Sequence, residues 1–235
     1  MRERVRFNTT PEVRVPAFVL VPKNAPKPAP AIVALHDHGG FYLWGKEKIV
    51  EMPKEHPVLG EFRKRYYGGR GIASELARQG YIVAVIDMFY WGERRMLLDD
   101  DAADWRERPA SLTRERIQAF NSRAGQNEQL VGRTIYAAGF TWPGVMFWDD
   151  VRSVDYLLTR PDVASLAMPT PLLVINGAKD ALFHPDGVKA SFEKLNACYA
   201  KAGVPDHCRM RLYDTPHEFN AEMQAEAWDW LKRWM

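Results

Sequence analysis

Three places in this sequence carry residue types and spacings that could do chemistry. His36-Asp37-His38-Gly39-Gly40-Phe41 follows the apolar, β-branched run from Ala31 to His36. Paired glycines at such a point let backbone N–H groups turn toward a cleft, which is how an oxyanion is stabilised. The same segment admits two other readings, a metal pair from His36 and His38 and a plain glycine turn. Asp180 stands shortly after Asn176-Gly177, at the end of the run 171–177, and His217 lies in Thr215-Pro-His-Glu-Phe219, just past the run 208–213. Taken singly, each reads as a solvated loop residue; a carboxylate beyond one strand and an imidazole beyond the next, in that order, can complete an acid–base pair. The carboxylate holds one ring nitrogen protonated, and the other can take a proton from a reacting group.

These positions need a scaffold that ends strands beneath them. Apolar runs alternate with helical patterns, the signature of a mainly parallel sheet with helices on both faces. Strands are expected over 3–8, 12–21, 31–36, 81–87, 171–177 and 208–213, and helices over 72–79, 113–138, 145–159, 186–202 and 221–234. Gly80 reads as a left-handed cap, and the prolines of 22–30 as a turn. The whole chain, 1–235, reads as a single α/β domain in which 96–144 form a surface excursion and helical insertion. Asp99-Asp100-Asp101 within it reads as a solvated acidic turn. Phe89-Tyr90-Trp91, just past a strand, is the aromatic segment best placed to line a pocket, with Trp91 a candidate binding residue.

Composition narrows the classes. Lys and Arg number 32 against 30 for Asp and Glu, scattered along the chain. No basic stripe asks for nucleic acid, and no apolar run approaches the ~18 residues of a membrane span. The charged start, Met1-Arg2-Glu3-Arg4, has no signal core, so a cytoplasmic protein is expected. Cys198 and Cys208 read as reduced packing thiols.

Several segments together resemble the α/β-hydrolases related to dienelactone hydrolases and acetyl-xylan esterases. They are Val33 to Gly40, Asp87 with Trp91-Gly-Glu-Arg94, Trp148 to Leu158, Pro171 to Asp180 and Pro216-His-Glu-Phe219. The resemblance covers nearly the whole chain. It implies that Asp180 and His217 are the catalytic acid and base, and that the backbone around Gly39, Gly40 and Phe41, beside His38, supplies oxyanion donors. It also implies a small-molecule ester-like ligand and no metal or organic cofactor.

The chain departs from the family at one point. There a strand, a G-x-S-x-G nucleophile turn, a helix and another strand would precede the acid-bearing strand. Here Arg160-Pro-Asp-Val163 runs almost directly into 164–171. A strand–helix–strand unit of at least ~30 residues is missing, an apparent deletion near 160–170 that truncates the fold. None of Ser74, Ser111, Ser122, Ser153, Ser165 and Ser191 is flanked by glycines in the nucleophile pattern. The expected function is a hydrolase of carboxylic esters or related acyl bonds with an incomplete triad. A non-catalytic ligand-binding remnant and an enzyme using Asp180 as nucleophile are the alternatives. Closing the gap would place the strand at 171–177 beside that at 31–36.

Overall fold

The computed structural model describes residues 1–23, 30–158, 171–181, 185–201 and 203–234. The apparent deletion near 160–170, Ser165 and most of the proline-rich turn lie outside the described residues. The chain forms two compact units, Met1–Gly60 with Arg70–Leu166, and Glu61–Gly69 with Ala167–Met235. Among the described residues no helix is long and apolar enough to cross a membrane.

In the first unit, β1 (Arg2–Asn8) and β2 (Arg14–Leu20) form an antiparallel hairpin. β1 alternates, with Arg2, Arg4 and Arg6 exposed and Val5 and Phe7 turned inward, as suits a charged edge strand. β2 is central and almost wholly buried. β3 (Ala31–Val33) is shorter than expected. α1 (Pro57–Tyr66), unanticipated from the pattern, begins in this unit and continues into the segment Glu61–Gly69 of the second, and α2 (Ile72–Arg78) leads into β4 (Ile82–Ile86), with Gly80 left-handed at φ 104°. The sheet order is β1-β2-β4-β3, and only the β3–β4 pair is parallel.

The polar excursion contains a short α3 (Ala103–Glu107), followed by α4 (Arg114–Ala137), whose first turn is capped by the Thr113 hydroxyl accepting from Arg116 N–H. α5 (Trp142–Leu158) starts earlier than expected, because Pro143 falls in its first turn, where a missing N–H costs nothing. Leu157 of α5 packs on Val19, Ile82 and Ala84 of the sheet. The acidic turn is not simply solvated. The Asp101 carboxylate is buried against Arg123 and accepts from Leu98 N–H at 2.7 Å.

In the second unit β5 (Leu172–Gly177) and β6 (Cys208–Tyr213) pair in parallel, joined through α6 (Pro185–Lys201), and α7 (Ala221–Trp234) buries Met223, Trp228 and Trp230.

The α/β class is as expected, while the pairing differs in two respects. Two of the pairs are antiparallel: β1 with β2, because their short connection cannot make the long crossover that parallel strands require, and β2 with β4. The expected pairing of 171–177 with 31–36 is absent from the described hydrogen bonds. β3 pairs with β4, and β5 with its chain successor β6, in a two-stranded sheet.

Candidate active site

The acid and the histidine come together at the ends of β5 and β6. His217 Nδ1 lies 2.8 Å from Asp180 Oδ2. The carboxylate is almost fully buried, with 2% of the side chain exposed, whereas the imidazole is 52% exposed. Backbone bonds lock the two loops in register. Ala178 N–H donates to Tyr213 O at 2.7 Å and Lys179 N–H to Thr215 O at 3.0 Å. Gly177 is required where the loops cross, since a Cβ there would fall 2.4 Å from the carbonyl oxygens of both Thr215 and Pro216. No ordinary side chain fits that approach, so the residue before the acid loop is tied to the backbone just ahead of His217.

The glycine loop belongs to the first unit. Gly39 and Gly40 both have positive φ, 55° and 58°, a conformation in which any other residue is strained. Lys48, whose side chain is buried, donates to the carbonyls of Asp37 (2.7 Å) and His38 (3.0 Å), and Trp91 Nε1 donates to His38 O at 3.1 Å. Two of the anticipated oxyanion donors are engaged within the loop. Gly40 N–H donates to His38 Nδ1 at 3.0 Å and Phe41 N–H to His38 O at 3.4 Å. The Phe41 ring is buried and stacks on Trp44.

His36 is a structural residue. Its Nδ1 donates to Asp37 O at 2.9 Å and its Nε2 accepts from Met88 N–H at 3.2 Å, so neither nitrogen is offered to a metal. Among the described residues no three His, Cys, Asp or Glu side chains are grouped to hold an ion. Burial, reinforced by the Lys48 charge, lowers the His36 pKa to about 3. Since the unfolded chain binds a proton here below about pH 6.5, the stability His36 contributes is complete above that pH and is lost as the pH falls toward 3. Urea unfolding across this window should show the wild type losing up to about 1.4 kcal/mol per pH unit more than His36→Gln. Parallel pH profiles for the two proteins would refute the assignment.

A set of charges that pattern reading missed ties the loops after β3 and β4 together. Asp87 and Lys46 have fully buried side chains. Lys46 Nζ donates to Asp87 Oδ2 at 2.6 Å and to Glu93 Oε1 at 2.7 Å. The backbone N–H groups of Lys46 and Glu93 donate to the same Asp87 carboxylate at 2.8 and 2.9 Å. Burial works against the Lys46 ammonium, but Asp87, Glu47 and Glu93 hold its pKa above the ordinary lysine value. Burial would raise Glu93, yet Lys46, Arg4 and Arg6 hold it below the usual carboxylate range. A Cβ at Gly45 or Gly92 would fall 2.2 or 2.3 Å from Asp87 Oδ1. The two glycines flanking charged residues were the available signal.

The described serines have other settings. Ser74, Ser122, Ser153 and Ser191 lie within helices, and Ser111 lies in the turn before α4. The Ser153 hydroxyl donates to Asp149 O one turn back, and Ser74 Oγ accepts from Glu51 N–H. None stands at a strand-to-helix turn.

No protein-family model matches the chain. A curated relative from Bacillus subtilis (strain 168), described as "Putative hydrolase YtaP", is 24% identical over 268 residues, covering 94% of this chain and 84% of that protein. Among solved structures, the chain is similar to a protein described as a putative acetyl xylan esterase from Bacteroides fragilis, with a TM-score of 0.47 and 20% identity. That match covers 75% of this chain and 37% of the esterase, so the chain spans well under half of its length. It is also similar to a serine hydrolase without lid from Xanthomonas campestris, with a TM-score of 0.45 and 15% identity, covering 100% of this chain and 95% of that one. That last protein is described as a member of the α/β serine hydrolases.

Proposed function

We propose that this chain is a hydrolase of small carboxylic esters or related acyl bonds in which His217, oriented by Asp180, acts as a general base on water without a serine nucleophile. The observation that carries this reading is the 2.8 Å bond between a buried carboxylate and a half-exposed imidazole. With Nδ1–H donated to Asp180, the imidazole keeps Nε2 as its basic atom. His217 takes a proton from water as the water oxygen bonds to the acyl carbon. The imidazolium then returns that proton to the leaving oxygen as the acyl–oxygen bond breaks, giving acid and alcohol. No metal or organic cofactor enters this scheme.

Removing the nucleophile from a triad costs about 10⁶ in turnover and leaves about 10³–10⁴ over water, so slow catalysis is the expectation. The burial of Asp180 speaks against the carboxylate itself attacking, because His217 and the protein cover it. The alternative of a ligand-binding remnant rests on the settings of the described serines.

The test is hydrolysis of 4-nitrophenyl acetate together with labelling by a serine-directed fluorophosphonate. Slow turnover that disappears in His217→Ala, with no labelled serine, is expected. Stoichiometric labelling of any serine would overturn the water mechanism, and turnover indifferent to His217 would favour the binding remnant.

A further inference from the structure

The first unit contains a cavity of about 620 Å³ whose walls are mostly apolar, formed by Leu35, Met88, Trp91, Trp142 and Met146, with one carboxylate, Glu128. Its volume suits a small ligand. Glu128 Oε1 accepts from His38 Nε2 and from the Tyr42 hydroxyl, each at 2.7 Å. Since His38 Nδ1 accepts the Gly40 N–H, His38 carries its proton on Nε2 alone and is neutral in this arrangement. Burial, with the bond to Glu128, raises the Tyr42 pKa, so that partner is neutral too.

Both donors orient the Glu128 carboxylate without cancelling its charge, and among the described residues no Lys or Arg lines the cavity. Among the described residues no hydrogen bond reaches Oε2. The nearby cation is Lys48, 5.8 Å from the centre of the Trp91 ring and held by the carbonyls of Asp37 and His38. It makes Trp142 the better aromatic face for a positive charge. A lone carboxylate beside tryptophan and thioether groups is the chemistry that selects an organic cation over a neutral or anionic ligand.

We propose that this cavity binds an organic ammonium ion with an apolar body, its charge set between Glu128 Oε2 and the Trp142 ring. This proposal does not depend on the chemistry proposed for His217.

The probe is benzyltrimethylammonium, titrated calorimetrically against the full chain beside its neutral isostere neopentylbenzene and the anion phenylacetate. The cation is expected to bind at least tenfold more tightly than either. Glu128→Gln should lower its affinity at least tenfold while leaving neopentylbenzene unchanged, and Trp142→Leu, which spares the His38–Glu128–Tyr42 bonds, should weaken the cation by a similar factor. Circular dichroism and thermal unfolding establish that both variants fold. Equal binding of the neutral isostere, preferred binding of phenylacetate, no detectable binding of the cation, or cation affinity unmoved in both folded variants would overturn the proposal.

Discussion

Asp87→Ala is expected to lower the unfolding free energy by about 3–5 kcal/mol, the usual cost of leaving a buried charge without its partner. The Asp87 carboxylate receives the Lys46 ammonium and two backbone N–H groups, from Lys46 and Glu93, and no part of it meets solvent. Alanine would leave the fully buried Lys46 with Glu93 and, at 3.6 Å, Glu47, while Glu93 is shared with Arg4 and Arg6. It would also orphan the two backbone donors. Lys46→Met should cost a comparable amount, because it leaves Asp87 and Glu93 facing each other without their cation. Apolar replacement of a whole buried pair is far less harmful than breaking it, so the double variant should lose well under the sum of the single losses. Urea unfolding of the four proteins measures this. Single losses below about 1 kcal/mol, or strict additivity, would mean the network is not a coupled unit.

Asp180→Asn is expected to lower ester turnover about 10²-fold or more, to the level of His217→Ala, with little change in fold. Asparagine can present its amide NH₂ to Nδ1 and so favour the tautomer with the proton on Nε2, which removes the base. Asp180 is buried and His217 half-exposed, so the substitution changes the partner of the ring rather than the packing around it. NMR of the His217 ring nitrogens reports the tautomer directly. Unchanged turnover, or an unchanged tautomer in Asp180→Asn, would mean that the bond does not orient a base.

The strand-end positions of Asp180, His217 and the glycine loop were legible because each follows an apolar β-branched run, and runs of that kind end where loops carry polar side chains. β6 and α7 match their expected limits exactly, since their periodicities are unbroken. α1 escaped notice because its sequence, Pro57-Val-Leu-Gly-Glu-Phe-Arg-Lys-Arg-Tyr66, has a glycine in its interior, and its first turn is capped by a histidine, His56 Nδ1 accepting from Val58 N–H, instead of Ser, Thr, Asp or Asn. The partner of β5 was not legible because strand order is a property of the sheet and not of any one strand.

What is local in this chain could therefore be read from it: the element types, the acid and histidine in order, and the paired glycines whose positive φ only that residue tolerates. Partnership across distance could not. Asp87 meets Lys46 from 41 residues away, and Glu128 meets His38 from 90. Such pairs leave no periodic trace, because a charge is chosen by the dielectric and donors around it after the chain has packed. The same packing made His36 a neutral structural ring, turned the Gly40 N–H back onto His38, and left one carboxylate among tryptophans. Periodicity records which face of an element is buried, whereas the chemistry of a buried polar group is set by whichever groups arrive beside it.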